Sequence, residues 1–575
     1  MTDIAPTAAL PGTPSLHDFE PLLPAESIVL RAAATGDIAK VGYRRPRSPT
    51  PEVRLRAEFL SFLARGGGAG ARVAGRHLQI VGACIVGRVD LTGATLPMSL
   101  WLYRCTFGVA PLLDSARVLG SLSFADCALP GLRAEACRID GDLALNAGCN
   151  IDGAILLART TLGRDLNCER LRMRSGGPAE HSPGSVFVAD GMRIGGDVIL
   201  CGGLESVGEM RFVAAQIAGD LRAGTARMTA DIDETGARGV ALNLDRVRVG
   251  GSVVLDAGFS AAGTVRLHQA RIRGDLDCSG AEFDAVGDAS WGENGGALRL
   301  DRARIGGALV LRQLQGPLQG ASLADARVGS LLDDAGSWGQ HHVLDGFAYT
   351  RFGPGAPTDA PARLAWLSRQ DAGHLDHDYR PDPWRRAIRA LRRMGRAASA
   401  GEVAVGRERH RRRIGRVGLG APPALRWLAR LSHDAWGLFA GYGHRPLRML
   451  TTGTIVWLLC GSAYWAAAER HGFAPGAAWA NADPRWAACR PDCARLPASV
   501  PTFQSFAYSF DVLMPLIDLR QKLYWAPARD APGPETERWI GVSALQLLIW
   551  FEAACGWALG LTWLARVVGL DDRDR

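Results

Sequence analysis

Two carboxylates in an otherwise apolar stretch near the C-terminus are the first residues that could do chemistry. The segment "FAYSFDVLMPLIDL" (residues 506–519) contains Asp511 and Asp518, and Pro515 interrupts it. The acids could line an ion pathway, bind a cation or a partner, or pair with residues such as Arg520. A carbonyl-rich selectivity filter is absent from this sequence, which favours a short amphipathic or re-entrant element over a pore lining.

Apolar runs on either side of this segment have the roughly 20 residues that a bilayer-spanning helix needs. The membrane module is predicted as transmembrane helices at 447–468 and 539–566, an extracytoplasmic loop at 469–538 with the amphipathic or re-entrant segment at 503–519, and a cytoplasmic tail at 567–575. Glu552 lies within the second run, where an ionisable residue is a functional candidate. The alternative is a packing residue that hydrogen-bonds to Gln546 or to a neighbouring chain.

A repeated motif fills most of the first 335 residues. "RIDGDLAL", "RIGGDVIL", "RVGGSVVL" and "RIGGALVL" alternate with looser copies such as "QIAGDLRA" and "RIRGDLDC". The spacing alternates between about 22 and about 33 residues, a period typical of solenoids. Every second repeat carries an insertion, beginning near Arg174, Thr229 and Ala285, and these aligned loops are candidates for binding. Within a repeat the residues alternate as in strands, with Val253 and Leu255 expected inside.

The fold class is therefore mainly β: a right-handed parallel β-helix, or pentapeptide-like solenoid, with a helical N-terminal cap, an α-helical connector and two C-terminal transmembrane helices. The cap covers strand edges that would otherwise pair with other chains, and its apolar stripe comprises Leu55, Phe59, Phe62 and Leu63. Before the membrane module, the predicted segments are a disordered leader at 1–50, a capping helix at 51–67, the β-helix at 75–335 and an Arg-rich helical connector at 336–446.

Arginines recur at equivalent positions of the repeat and should form a ladder on one face. This candidate binding face comprises Arg193, Arg248, Arg304, Arg271 and Arg327. It could bind an acidic partner or anionic headgroups, or it could be solvated surface paired with neighbours such as Asp245 and Asp301.

Arginine also dominates the connector, and the formal charge of the whole chain is +8. A basic segment before a membrane helix fits the positive-inside rule and attraction to anionic lipids, rather than nucleic-acid binding. We therefore expect a bilayer, with anionic headgroups at the connector, and an unknown protein as partners, no nucleic acid, and a possible homo-oligomer. The N-terminal body and the C-terminus are placed in the cytoplasm.

Cysteines and cofactor motifs give no sign of redox chemistry. Cys168 and Cys278 occupy equivalent inward positions and are expected to be buried thiols. Cys489 and Cys493, in the extracytoplasmic loop, could form a structural disulfide. Neither a flavin, nicotinamide, haem or dithiol motif nor a convincing metal cluster is present, so no cofactor, no metal and no catalytic residue are predicted.

The C-terminal module resembles a bacterial membrane-protein family that has pentapeptide-like or β-helical N-terminal domains. The shared elements are "GYGxRP", here with Tyr442 and Arg445, "YSxDxxxPxxDL", here with Tyr508, Asp511, Pro515 and Asp518, and "GW" at Gly556 and Trp557. The "LDGFAY…RLAWL" exit of the repeats is similar too. The resemblance implies a bacterial inner-membrane location and a label of membrane-associated oxidoreductase or channel-like protein.

The leading hypothesis is a membrane-anchored cytoplasmic scaffold that binds a partner and could signal across the membrane. One alternative is an ion channel or ion-responsive protein that uses residues 503–519. The other is an oxidoreductase, which rests on the family label alone; the sequence favours a protein that is not an enzyme.

Overall fold

The computed structural model describes residues 15–68, 70–174, 184–232, 238–256, 258–284, 296–420, 422–470, 472–476, 501–528, 538–539 and 542–567. The chain divides into two compact units, Met1–Ser399 and Ala400–Arg575, which are treated separately below. The repeat insertions at 175–183, 233–237 and 285–295 lie outside the described residues, as do Cys489 and Cys493.

Three long parallel sheets form most of the first unit, with 21, 10 and 8 strands. The strands of sheet 1 are Ile38–Lys40, His77–Val81, Thr95–Leu96, Ser99–Tyr103, Arg117–Val118, Leu122–Ala125, Arg138–Ile139, Leu143–Asn146, Thr161–Leu162, Leu166–Asn167, Arg193–Ile194, Val198–Ile199, Gln216–Ile217, Leu221–Arg222, Arg248–Val249, Val253–Val254, Arg271–Ile272, Leu276–Asp277, Arg304–Leu311, Arg327–Asp333 and Ala348–Phe352. The strands of sheet 2 are Arg54–Arg56, Cys84–Val86, Thr106–Phe107, Ala128–Leu129, Asn150–Asp152, Arg172–Arg174, Glu205–Val207, Arg227–Thr229, Ser260–Ala262 and Glu282–Asp284. The strands of sheet 3 are Leu132–Arg133, Ile155–Leu156, Ser185–Val188, Glu209–Arg211, Val240–Asn243, Thr264–Arg266, Leu298–Arg299 and Ala321–Ser322.

The chain passes through these sheets in turn, and each strand pairs in parallel with its counterpart in the next repeat, as Val253 does with Leu276. The predicted alternation is confirmed, because Val253, Leu255, Leu276 and Cys278 are buried. Inward-pointing residues at equivalent positions of successive repeats therefore stack into continuous apolar columns, as expected for a solenoid-like stack.

The "GD" or "GS" of each repeat links it to the next through a ladder of side-chain hydrogen bonds. Each Asp or Ser side chain accepts a hydrogen bond from the backbone N–H at the same position one repeat later. The pairs are Asp165 to Asp197 (2.8 Å), Asp197 to Asp220 (2.8 Å), Asp220 to Ser252 (2.9 Å), Ser252 to Asp275 (3.0 Å) and Asp275 to Ala308 (2.6 Å). The glycine that precedes the donor lies against the accepting oxygen: a Cβ on Gly219 would overlap the Asp197 carboxylate, and one on Gly251 would overlap that of Asp220. This close approach favours glycine before the ladder residue, although Arg164 stands there before Asp165, whose N–H still bonds to Asp142 (3.1 Å).

The N-terminal segment is ordered over most of the region predicted as a disordered leader. A short 3-10 helix spans Leu16–Phe19, and helix α1 spans Pro24–Thr35 and ends at Gly36, whose φ is 78°. The strand Ile38–Lys40 then pairs with His77–Val81 in sheet 1. That prediction was wrong because the segment is stabilised by pairing and by burial of small side chains such as Ala25 and Ala33.

The capping helix is shorter than the predicted 51–67. Residues Arg54–Arg56 form the first strand of sheet 2, and helix α2 spans only Ala57–Ala64. Leu55 therefore lies on a strand rather than on the helix, although all four stripe residues are buried. Glu26 of α1 is fully buried and bonds to Arg56 (Nε–Oε1 2.7 Å), which ties α1 to this strand. A two-stranded antiparallel pair, Gly67–Gly68 with Ala71–Arg72, follows α2.

The β region extends beyond the predicted boundary at 335. Strand Ala348–Phe352 pairs with Arg327–Asp333 and adds the last strand to sheet 1, so the predicted connector begins within the sheet. Helix α3 (Ala360–Ser368), the one-turn π-helix Gly373–His377 and helix α4 (Asp382–Arg393) follow.

The second unit is mainly helical. Its elements are α5 (Ala397–Arg413, which starts three residues before the unit boundary), the 3-10 helix Pro423–Leu425, α6 (Arg426–Ala440), the 3-10 turn Gly441–Gly443, α7 (Pro446–Ala468), α8 (Ser505–Leu513), α9 (Gln521–Tyr524) and α10 (Ala544–Val567). Two antiparallel pairs accompany them, Phe473–Pro475 with Trp525–Pro527 and Arg538–Trp539 with Val542–Ser543. The second predicted span therefore becomes helical at Ala544 rather than at residue 539.

Among the described residues, one helix is long and apolar enough to cross a membrane by length and composition, namely α10 over Ala544–Leu564. Helix α7 has 23 residues and coincides with the predicted first span, but its threonines, glycines and tryptophans lower its mean hydropathy. Two spans and their orientation thus stay predictions.

Candidate functional site

The structure brings the predicted arginines together in one column of sheet 1. Arg248 is paired in register with Arg271, Arg271 with Arg304, and Arg304 with Arg327. Arg193 lies in the same column but is separated from Arg248 by Gln216. Parallel strands are about 4.8 Å apart, so four consecutive arginines extend over roughly 14 Å.

Backbone alternation explains why every guanidinium of the column is exposed. The next residue of each strand is an Ile or Val whose side chain is buried, such as Val249, Ile272 and Ile305. Because successive strand side chains point to opposite faces, each preceding arginine must point to solvent. The ordinary repeat pattern therefore creates the arginine face without special backbone geometry.

No carboxylate faces this column among the described residues. The groove along it has a volume of about 940 Å³, and its lining includes six arginines and neither Asp nor Glu: Arg193, Arg248, Arg271, Arg273, Arg304 and Arg327. Earlier in the same column, by contrast, Arg117 and Arg138 share Asp140, at 3.8 and 2.9 Å. The predicted pairing with Asp245 and Asp301 is wrong, because these acids bond to Arg266 and Arg299.

Glycines form the floor of the groove beside the column. Gly195, Gly250, Gly306 and Gly329 line it two positions after the arginine of each repeat. At Gly250, for instance, a Cβ would overlap the carbonyl oxygen of Ala218 in the preceding repeat. Arg273 stands at this position in one repeat and adds a further exposed cation. Sequence reasoning missed Arg273, although "RIRG" carries it two residues after Arg271.

Glu552, the acid within the second predicted span, lies in a buried polar cluster. Its carboxylate is fully buried and accepts hydrogen bonds from the hydroxyls of Tyr464 (2.6 Å) and Ser509. The Ser509 hydroxyl also lies 3.0 Å from the carbonyl oxygen of Trp457, so its single proton is shared between two acceptors. The cluster therefore joins α7, α8 and α10. Within the described part of the chain this carboxylate bonds to Tyr464 and Ser509 rather than to Gln546, the partner expected within the chain. One sequence could not identify Tyr464 and Ser509, because these contacts are long-range.

Tyr508 packs beside this cluster, with its ring centroid 5.3 Å from that of Tyr464. Gly556 of the "GW" element lies against the end of α8, since a Cβ there would overlap the carbonyl oxygen of Leu513. Trp457 donates from Nε1 to the carbonyl oxygen of Phe506 (2.9 Å). These contacts give Tyr508 and Gly556 a packing role among the three helices.

Asp511 organises the turn that follows α8. It is fully buried and accepts hydrogen bonds from the backbone N–H groups of Leu519 (3.0 Å) and Lys522 (2.9 Å), with the Lys522 ammonium 3.6 Å away. Asp518 accepts from the backbone N–H of Arg520 (2.8 Å). The predicted pairing with Arg520 is thus a backbone contact of Asp518, and the ionic partner of Asp511 is Lys522.

Pro515 follows the end of α8 at Leu513, within the turn that Asp511 closes. Tyr442 and Arg445 lie at the junction of α6 and α7. Tyr442 has a φ of 55°, and its ring lies 4.7 Å from that of His433. Its ring also contacts the Gly437 backbone so closely that a Cβ at position 437 would overlap it. We assign these junction residues a structural role.

Two observations on the described residues bear on metal binding and on thiol reactivity. The described part of the chain contains no group of three or more His, Cys, Asp or Glu side chains that could hold a metal ion. Burial raises the pKa of Cys149 to about 12, and it raises the pKa of Cys168 and Cys278 as well. These thiols therefore stay protonated at neutral pH, as expected for buried packing residues.

Comparisons with protein-family models, with curated proteins and with solved structures find no match for this chain.

Proposed function

We propose that the protein is a membrane-anchored scaffold in which a right-handed parallel β-helix presents its arginine column to an acidic segment of a partner protein. The carrying observation is the run Arg248, Arg271, Arg304 and Arg327, whose groove is lined by no carboxylate of the described residues. Two unit charges one strand spacing apart repel by about 1 kcal/mol in water. An acidic partner would remove this repulsion and add charge-assisted hydrogen bonds.

The spacing of the column favours a helical acidic segment. An α-helix that carries one carboxylate per turn repeats every 5.4 Å, close to the roughly 4.8 Å between strands. Over three steps the mismatch is about 2 Å, which flexible arginine side chains can absorb. An extended peptide repeats its side chains on one face every 6.6 Å or so, and its mismatch over three steps would reach about 5 Å.

The β-helix assignment is supported by the strand order. The chain passes through the three parallel sheets in turn, and each strand pairs with its counterpart in the next repeat. Stacked repeats bury a continuous core that no single repeat could build. Helix α1 precedes the first strands of the stack, α2 lies between early strands in the sequence, and α3 and α4 follow the last strand. The unpaired strand edges at both ends of a stack need cover.

Two bilayer spans and an inner-membrane location are supported by exposed apolar side chains on α7 and α10. On α7 these are Leu447, Leu450, Ile455, Leu458, Leu459 and Trp465; on α10 they are Leu547, Trp550, Phe551, Trp557, Leu561, Trp563 and Leu564. Apolar surface of this extent marks an interaction with lipid or protein. Under the positive-inside rule, the arginine-rich sequence before α7 favours a cytoplasmic side for that flank and for the repeats.

The channel alternative has less support, because the candidate acids already have partners within the second unit. Asp511 bonds to Leu519 and Lys522, and Glu552 bonds to Tyr464 and Ser509. Carboxylates held in this way stabilise the helix packing and the turn after α8.

The test measures peptide binding to the full-length protein in nanodiscs of neutral lipid. A helical peptide with one Glu per turn should bind, and Arg271→Gln/Arg304→Gln should weaken it by about 10- to 100-fold, as for lost hydrogen bonds to charged groups. Arg117→Gln/Arg138→Gln is the matched control, since it removes the same charge from the same column where Asp140 already pairs with both arginines.

A peptide of equal charge with Glu at alternate positions separates the helical from the extended ligand and should bind more weakly. Equal loss in both double variants would mean that only net charge matters and would overturn the proposal. Binding to anionic vesicles without binding to either peptide would replace the protein partner with a membrane surface.

A further inference from the structure

A second basic pocket lies at the end of the arginine column, between strand Ala348–Phe352 and helix α4. It has a volume of about 320 Å³, and no carboxylate of the described residues lines it. Its lining includes Arg327, Tyr349, Arg386, Arg389 and Arg393. All belong to the first unit of the chain.

Two residues that line this pocket each carry a buried donor that has no hydrogen-bond partner among the described residues. The donors are the hydroxyl of Tyr349 and the Nε–H group of Arg389. Buried polar groups in folded proteins nearly always have a partner, so an unsatisfied pair in one pocket calls for an explanation. Arg386 differs from them, since it forms an ion pair with Asp382 (2.6 Å).

The position and protonation state of Tyr349 suit it to hydrogen-bond donation. Its ring packs against those of Phe352 and Trp366, with centroids 5.1 and 6.3 Å away, so the side chain is held in place. Burial raises the pKa of Tyr349 above its ordinary value. The phenol therefore keeps its proton at neutral pH and can donate a hydrogen bond to an anion.

We propose that this pocket binds a phosphoryl group, with the Tyr349 hydroxyl and the Arg389 guanidinium donating to its oxygens and Arg327 and Arg393 offsetting its charge. A phosphoryl group has several acceptor oxygens and a charge near −2, which match several converging donors better than a single carboxylate does. The site is separate from the peptide-binding column, apart from the shared Arg327.

The source of the phosphoryl group is either a soluble phosphate or a phospholipid headgroup. Calorimetry of the full-length protein in neutral-lipid nanodiscs tests inorganic phosphate against chloride at equal ionic strength. A parallel arm compares short-chain phosphatidic acid with short-chain phosphatidylcholine. Binding in the first arm identifies a soluble ligand, and binding of phosphatidic acid alone identifies a headgroup; both outcomes support the site.

Tyr349→Phe is the most discriminating variant because it keeps the charge and the shape. We expect it to weaken phosphoryl binding by about tenfold, as for one lost hydrogen bond to a charged group. Without ligand its Tm should stay equal or rise, since the substitution removes an unsatisfied buried hydroxyl. A purely structural role for the hydroxyl would instead lower the Tm of the free protein.

Arg389→Gln should weaken binding further, whereas Arg248→Gln, which removes one charge from the column outside this pocket, should change affinity by less than about twofold. The proposal is overturned if neither phosphate nor phosphatidic acid binds. It is also overturned if Arg248→Gln weakens binding as much as Arg389→Gln does, since the effect would then be general electrostatic attraction.

Discussion

At the scale of single residues, the most consequential pair is the buried ion pair between Asp333 and Arg363. Both side chains are almost fully buried, and the guanidinium donates to the two carboxylate oxygens at 2.7 and 2.8 Å. Trp338 donates to the same carboxylate (2.8 Å), and the guanidinium lies 3.6 Å from the ring centroid of Phe352. The pair connects α3 to the last strands of sheet 1.

Arg363→Ala should lower the free energy of unfolding by about 3–5 kcal/mol, because it leaves the Asp333 carboxylate buried without its cation. Urea denaturation, monitored by the circular-dichroism signal of the β-sheets, measures this loss. Arg302→Ala is the control: Arg302 pairs with Asp325 at 3.9 Å on the exposed surface, so we expect a change within about 0.5 kcal/mol. A loss below about 1 kcal/mol for Arg363→Ala would contradict the role of the buried pair.

At the scale of the element, the Asp and Ser ladder explains why most repeats carry glycine before their ladder residue, with Arg164 before Asp165 as an exception. Elsewhere an exchange of glycine for alanine without strain stabilises a protein by about 0.4–1 kcal/mol, since it restricts the unfolded chain. At Gly219 the added Cβ would overlap the Asp197 carboxylate, which accepts the hydrogen bond of the next repeat. The sign of the effect therefore separates a close approach from an ordinary turn.

Gly219→Ala should destabilise the protein by about 1–3 kcal/mol, the usual cost of forcing atoms into a well-packed site. Gly108→Ala provides the control, because its nearest neighbour would be the Ile85 carbonyl oxygen at an ordinary 3.7 Å; it should be neutral or slightly stabilising. Differential scanning calorimetry compares the two variants. If Gly219→Ala were as stable as Gly108→Ala, the glycines would reflect composition rather than the ladder.

At the scale of the whole molecule, the sequence predicted what repeats and alternates, and missed what depends on distant pairing. The inward columns through Val253 and Leu276 follow from a local period, and the structure confirms that these residues are buried. The leader helix carried a signal that composition hid: Pro24 at its first position, Glu26 in its first turn and Gly36 at its end.

Contacts between distant segments could not be read from one sequence. Tyr464 and Glu552 are 88 residues apart, and Asp333 and Arg363 are 30 apart. The arginine face was predictable only in part. Its positions follow from the repeat, but the lack of carboxylates beside it among the described residues depends on neighbouring repeats.

The number of membrane spans determines on which side of the membrane the residues between α7 and α10 lie. If α7 and α10 both cross, the residues between them lie on the opposite side from the repeats; if α10 alone crosses, they lie on the same side. Cys489 and Cys493 fall in the intervening sequence, and Cys201 is a half-buried thiol of the repeat region. Native cysteines thus report on both sides.

After mild reduction of intact bacterial spheroplasts, a membrane-impermeant maleimide should modify Cys489 and Cys493, while Cys201 should react only after permeabilisation. Mass spectrometry of the labelled peptides measures each site separately, and Cys201 serves as the internal control for an intact membrane. This outcome follows from two spans with the arginine-rich flank held on the cytoplasmic side. Reaction of all three thiols only after permeabilisation would contradict two spans and would put the intervening segment on the same side of the membrane as the repeats.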